Sequence, residues 1–350
     1  MRICDKLPQG VDAAIISDEK NRQYLTGVRS SAGTVVVTRD ETYLIIDFRY
    51  IEMARQTAVD CQVLLQGRLY QQIGELFAAH GVKTWGLCDS LTDLAQLRRY
   101  QKQLPGAFLE DSGVDGLLQQ LRMCKSEVEL GFIRQAQQLT DDCFSYITQR
   151  IAAGRSERDI ALDMEFYIRR QGAQGVSFDF IVVSGENSSK PHGVPGERLV
   201  QPGDFITMDF GCTVGGYCSD MTRTVAVGQV TDEQRQVYDI VLQANRLGVQ
   251  LAGPGVACDW VDAQVRALIA DAGYGECFGH GLGHGVGLDI HEEPAFSPSC
   301  GTLTRPGMVI TVEPGIYLPG RFGVRIEDMV VITRDGCTDI TRSPKELLAL

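Results

Sequence analysis

The chain has 350 residues, 44% of them hydrophobic and 22% charged, with a formal net charge of −12. That length exceeds one ordinary hydrophobic core, so two domains are expected. The acidic balance, without any Lys/Arg run, disfavours nucleic acid and anionic membrane as partners, and no stretch approaches the roughly 18 apolar residues of a membrane span.

The N-terminus, MRICDKLPQGVDAAIIS, lacks a basic region followed by an apolar run, so no secretory signal is expected. Eleven cysteines are scattered along the chain without CxxC spacing. An odd number of dispersed thiols fits reduced cysteines in a cytoplasmic protein better than a disulfide framework or a zinc ribbon. Cys212 and Cys218 are read as small buried hydrophobes and not as ligands.

Residues 1–122 alternate β-rich runs with helical stretches. DAAIIS (12–17), TVVVTRD and TYLIIDF (34–48), QVLLQ (62–66), TWGLC (84–88) and AFLED (107–111) read as strands. RYIEMARQTA, QQIGELFAAHG and DLAQLRRYQKQL, with apolar residues three and four apart, read as the helices between them. SDEKNRQYLTG resembles a helix start or a turn. The pattern is that of an α/β layer domain.

A boundary is placed at 122/123, where a long helix is about to begin. Ser126 and Glu129 have capping-box spacing, ahead of an apolar stripe of Val128, Phe132, Ile133, Ala136 and Leu139. Ser156 with Asp159, and Thr231 with Gln234, mark two further helix starts. DWVDAQVRALIADAG reads as another helix, with Gly273 as its C′ residue. Residues 123–350 are expected to be α+β, with helices packed on one sheet.

A ten-residue phrase in this second part occurs twice. Residues 202–211 read PGDFITMDFG and residues 306–315 read PGMVITVEPG, so Asp209 matches Glu313. Each copy leads through a Gly-rich turn into another acid-bearing strand, with Asp220 in GYCSDMTRTVAV and Glu327 in GVRIEDMVVI. The repeat implies two half-domains related by a pseudo-two-fold axis around a shared cleft. Alternation along a strand puts Thr207 with Asp209, Thr311 with Glu313, Asp220 with Thr222 and Thr224, and Glu327 with Arg325. Four clustered carboxylates raise one another's pKa unless cations neutralise them. Two divalent ions would supply that charge and would lower the pKa of a shared water towards ~7.

Between the copies lies FGHGLGHGVGLDIHEEP (278–294), which holds His280, His284 and His291 among alternating glycines. Of the chain's five histidines, His80 is read as structural, and His192 stands alone in SGENSSKPHG. One imidazole with four acids suits manganese or cobalt, and iron or zinc less well, over a thiolate-loving metal.

MDFGCTVGGYCSDMTRTV, HGLGHGVGLDIHEEP, TVEPGIYLPG, GVRIEDMVV and SGENSSKPHG together resemble the pita-bread metallopeptidases, in particular the Xaa-Pro aminopeptidase and prolidase branch. The resemblance covers the whole chain. It implies a creatinase/prolidase-like N-terminal α/β domain (1–122) and a pita-bread catalytic domain (123–350). It further implies that Asp209, Asp220, His284, Glu313 and Glu327 ligate two metals, with Asp220 and Glu327 bridging both. His291 would hydrogen-bond the scissile carbonyl or oxyanion, His192 and His280 would hold the peptide near its proline, and Glu313 would shuttle the proton. Arg325 would pair with a site carboxylate, and Thr222 would support one. The activity implied is removal of an N-terminal residue that precedes proline in a peptide, by a manganese-dependent homodimer. Three alternatives stay open: an Xaa-Pro dipeptidase, a methionine aminopeptidase, and a non-catalytic peptide-binding protein.

Overall fold

β-Branched runs separated by amphipathic helices make the first unit a layered sheet. Its strands are β1 (Ala13–Ile16), β2 (Thr34–Thr38), β3 (Thr42–Ile46), β4 (Gln62–Leu65), β5 (Thr84–Leu87) and β6 (Ala107–Phe108), in the order β4-β3-β2-β1-β5-β6. The structure is a computed structural model that describes residues 3–350. It divides into two compact units, Met1–Arg122 and Met123–Leu350.

In the first unit β1, β2 and β3 are buried along their whole length. Alternate residues therefore feed two cores. Ala13, Ile15, Val36 and Ile45 join one, while Ala14, Ile16, Val35 and Leu44 join the other. The run 107–111 contributes only a two-residue strand. SDEKNRQYLTG closes into a helix, Glu19–Thr26, capped by the Asp18 side chain and ended by Gly27 at φ +70°. His80 is held between Tyr43 Oη at 2.8 Å and Asp40 Oδ2 at 3.0 Å, a structural role.

The second unit begins with the helix Glu127–Thr148, whose Ser126–Glu129 capping box is formed in both directions. Ile133 and Ala136 are buried as the stripe requires, but Val128 is 72% exposed because the first turn projects beyond the core. Ser156 caps Glu157–Arg170, the Thr231–Gln234 box caps Asp232–Leu251, and Cys258–Asp271 is followed by Gly273 at φ +90°.

The strands of this unit are β7 (Gly175–Val176), β8 (Ile181–Ser184), β9 (Phe205–Phe210), β10 (Cys212–Val214), β11 (Tyr217–Cys218) and β12 (Met221–Ala226), then β13 (Gly283–Gly285), β14 (Glu292–Phe296), β15 (Val309–Val312), β16 (Gly315–Leu318), β17 (Phe322–Arg325), β18 (Asp328–Ile332) and β19 (Cys337–Asp339). The two copies of the repeated phrase fold alike. In the first, β9 pairs antiparallel with β12 and the β10/β11 hairpin lies between them; in the second, β15 pairs with β18 around the β16/β17 hairpin. The Pro-Gly entries match too, with Gly203 at φ +90° and Gly307 at φ +89°, a conformation that excludes most L side chains.

Each copy has its own core. Residues of the helices 127–148 and 157–170 pack with β8, β9 and β12, and residues of 232–251 and 258–271 pack with β15 to β18. The strands thus form separate ladders, β12-β9-β8 and β14-β13-β15-β18-β19, and not the one sheet expected. The acids also differ from the expected one per strand. Asp209 lies within β9, but Asp220 precedes β12, Glu313 follows β15, and Glu327 sits in the break between β17 and β18. Arg325 and Glu327 consequently do not share a continuous strand.

A buried cation ties the copies together behind these acids. Arg223 Nη1 donates to the backbone oxygens of Thr222 (2.9 Å) and Glu327 (2.5 Å), and Nη2 pairs with Asp328 at 2.7 Å, with both side chains 1% exposed or less. Removing one partner of such a pair strands the other charge, so Arg223→Met should cost about 3–5 kcal/mol in urea denaturation. A loss under about 1 kcal/mol would show that Lys345, 2.5 Å from Asp328, suffices alone.

Candidate active site

The strand ends and breaks deliver their polar side chains to one cavity of about 740 Å³ within the second unit. Asp209, Asp220, His284 and Glu313 line it together with His192, His280, His291 and Arg325. Glu327 lies behind this wall, yet Asp220, His284 and Glu327 each offer a ligand atom within 4.8 Å of the others. Close backbone approach makes this possible. A Cβ at Gly283, beside His284, would fall on the carbonyl oxygen of Thr311, so only glycine lets β13 lie against β15 there.

His284 Nδ1 lies 3.1 Å from the Gly285 carbonyl, which can only accept, so Nδ1 carries the proton. Burial lowers the pKa of this imidazole, which leaves Nε2 as a bare lone pair. That lone pair faces Asp220 Oδ2 at 3.5 Å and Glu313 Oε1 at 3.4 Å. Three electron-rich atoms turned towards one another describe a cation site. Two further acceptors, Asp209 Oδ1 and Asp220 Oδ1, are buried without a hydrogen-bond partner. The residues therefore fit divalent metal ions with oxygen and nitrogen ligands.

Electrostatics lead to the same conclusion. Burial, then Glu327, Asp209 and Glu313, push Asp220 well above the usual carboxylate range. Glu327 is raised by burial and then by Glu313 and Asp209, and Glu313 is raised to about 8 by burial with Asp209 adding to it. One permanent cation opposes them. Arg325 Nη2 donates to Asp209 Oδ2 at 2.7 Å, Nε to Thr222 Oγ1 at 3.0 Å, and Nη1 to Tyr317 Oη at 2.8 Å and the Pro191 carbonyl at 3.3 Å. Burial works against this guanidinium, but Tyr317, Asp209 and Glu313 hold it firmly protonated. Thr222 passes the interaction on by donating to Glu327 Oε2 at 2.7 Å.

The histidines differ in what they offer. His280 Nδ1 is engaged by the Gly281 carbonyl (2.8 Å) and Nε2 by Tyr317 Oη (2.9 Å), and burial lowers its pKa to about 4. It is a neutral, anchored ring that presents its edge to the cavity. His192 and His291 reach solvent there, and partial desolvation by the cavity wall, with His284 at 4.3 Å between ring centroids adding to it, holds His291 towards the neutral form. Cys212 and Cys218 are buried thiols outside the cavity lining, neither in a disulfide.

Sequence reasoning missed Tyr317, which links Arg325 to His280, and Thr311, whose Oγ1 accepts from His284 N (3.0 Å) and donates to Glu313 (3.2 Å). The identity of Thr207 and Thr311 in the repeat was a signal for the latter. Nothing in the sequence marked Tyr317, whose partners are Arg325 on the paired strand and His280, 37 residues away.

The sequence profile of metallopeptidase family M24 matches residues 131–334, and that of the creatinase/prolidase N-terminal domain matches residues 8–124. An Xaa-Pro dipeptidase from Pyrococcus horikoshii is 34% identical over 348 residues, covering 97% of this chain and 95% of its own. Among solved structures, an Xaa-Pro dipeptidase from Bacillus anthracis aligns with TM-score 0.94 and 38% identity, over 97% of this chain and 96% of that one. An X-Pro aminopeptidase from Thermotoga maritima aligns with TM-score 0.91 and 35% identity, over 97% and 98%.

Metal removal makes the raised carboxyls visible as stability. Glu313 keeps its proton to about pH 8 when folded, against 4.5 when unfolded. Its contribution is complete at low pH and disappears as pH rises through 8. The lowered His280 and His284 oppose this only below about pH 6.5, where unfolded imidazoles take up protons. Chelated protein should therefore melt about 2–4 °C higher at pH 6.5 than at pH 8.5. Added manganese should abolish that trend. A melting temperature that rises or stays level from pH 6.5 to pH 8.5 in the chelated protein would contradict the arrangement.

Proposed function

The chain belongs to metallopeptidase family M24, and from that premise we propose that it hydrolyses the bond between a first residue and a following proline, with Xaa-Pro dipeptides as preferred substrates. The observation that carries this reading is one cavity that joins the carboxylate cluster and His284 to exposed imidazoles and to an apolar wall of Phe178, Phe180, Ile181, Val194 and Ile290. Its volume is that of a small-ligand site.

In this reading Asp209, Asp220, His284, Glu313 and Glu327 hold two divalent ions, manganese being the best match to their oxygen-rich set. When bound, such ions supply Lewis-acid polarisation and make water a nucleophile near neutral pH. The protein's own groups do the rest. Glu313 takes a proton and returns it to the departing amine at Oε2, while Thr311 holds its Oε1. His291 donates one N–H to the carbonyl oxygen as charge develops there. His192 borders the bound peptide with the anchored edge of His280 opposite. Arg325 holds the Asp209 carboxylate in place and, through Thr222, fixes the rotamer of Glu327.

An Xaa-Pro aminopeptidase acting on longer peptides is the second reading, and one feature favours it. Among the described residues lining the cavity the single arginine is Arg325, which is already committed to Asp209, Thr222 and Tyr317. No fixed cation there waits for the terminal carboxylate of a dipeptide.

With manganese, the protein should turn over Ala-Pro at least tenfold faster than Ala-Ala, and Asp209→Ala and Glu313→Ala should lose about 100-fold or more in kcat with the fold intact. Either variant within threefold of wild type would reject the site. Comparison of Ala-Pro with Ala-Pro-Ala separates the two readings, since only an aminopeptidase prefers the longer substrate.

A further inference from the structure

Glu157 is fully buried, lies outside the cavity, and has no role in the chemistry above. It is the first residue of the helix Glu157–Arg170, where an acid ordinarily faces solvent and the helix dipole. Its carboxylate instead turns inward. Oε1 accepts from Ser184 N (2.7 Å), Ser184 Oγ (2.9 Å) and Asn187 Nδ2 (3.2 Å); Oε2 accepts from Gly196 N (3.1 Å) and Asn187 Nδ2 (3.4 Å). All these donors flank or belong to the segment 185–196, which carries the cavity-lining residues Pro191, His192, Gly193, Val194 and Pro195.

Ser184 ends β8 before the segment, Asn187 is inside it, and Gly196 closes it. One carboxylate thus grips both ends and the middle. The backbone adds to the grip, since Glu157 N donates to Arg198 O and Arg158 N to Gly196 O, both at 3.1 Å. Arg198 occupies the far side of Ser184, donating to its Oγ at 2.7 Å, so that hydroxyl must give its own proton to Glu157. The site consists of donors only. A carboxylate, with about four acceptor positions and no hydrogen, satisfies it, whereas an amide would set its own N–H groups against them.

We infer that Glu157 is a positioning residue for substrate binding, which holds the 185–196 segment, and with it His192, against the cavity. This rests on the peptidase reading of that cavity. Hydrogen exchange keeps the two separable, because it reads the segment whether or not the protein turns over peptide.

The test uses the manganese-loaded full chain with the variants Glu157→Gln and Asn187→Ala. The second removes the Asn187 donor, together with its Oδ1 contact to the exposed Lys190, from a half-buried position and reports even if the first does not fold. Both should speed amide exchange in 185–196 at least tenfold while β9 and β12 stay protected. On Ala-Pro, KM should rise about tenfold for Glu157→Gln and about threefold for Asn187→Ala, with kcat within threefold and metal content unchanged. In a His192→Ala background the Glu157→Gln increment in KM should shrink to under twofold, because both changes act through one segment. Unchanged exchange in 185–196 in a folded variant overturns the inference regardless of activity. So does a KM increment that persists in full without His192. Failure of the wild type to hydrolyse any Xaa-Pro peptide, with exchange behaving as described, overturns the peptidase reading and leaves Glu157 as the organiser of a segment that binds something else.

Discussion

Crowded negative charge is the constraint on which the second unit depends. Asp209, Asp220, Glu313 and Glu327 converge where water is largely excluded, against one permanent cation, Arg325, and a histidine that burial keeps neutral. Such a group cannot be fully ionised by itself. Either protons or metal ions must be present, and the upward direction of the carboxyl pKa values means that without metal the cluster retains protons. The same electrostatic demand that holds protons on the metal-free cluster would favour divalent ions among its oxygens.

The fold answers that constraint by duplication. Two copies of one phrase each build a long antiparallel pair with a short hairpin between; Asp209 comes from within β9, and Asp220, Glu313 and Glu327 from the ends and breaks of the strands. Arg223 fastens the two copies behind the acids, through Thr222 and Glu327, so the cluster is held from its buried side by backbone contacts that do not compete for its carboxylate oxygens.

Much of this could be read from the sequence, for identifiable reasons. β1 to β5 followed from β-branched runs, and three helix starts from their capping residues, because those signals are local. The acids and His284 were legible because Asp209 and Glu313 recur in a repeated phrase and the histidines cluster among glycines. What stayed hidden was tertiary. The separation into distinct ladders, the break between Arg325 and Glu327, and the exposure of Val128 depend on how distant segments pack. Glu157 looked like an ordinary acid in a first helical turn, and Tyr317 like any aromatic residue in a strand. The partners of Glu157 lie 27 to 39 residues away and those of Tyr317 lie 8 and 37 residues away, outside any short local pattern.

Calorimetric titration of the chelated protein with manganese at pH 7.5, in two buffers of different ionisation enthalpy, counts ions and protons together. The account requires two ions per chain and a net release of protons, because cations displace those held on Glu313 and its neighbours. Saturation without any proton release, or no binding at all, would contradict it.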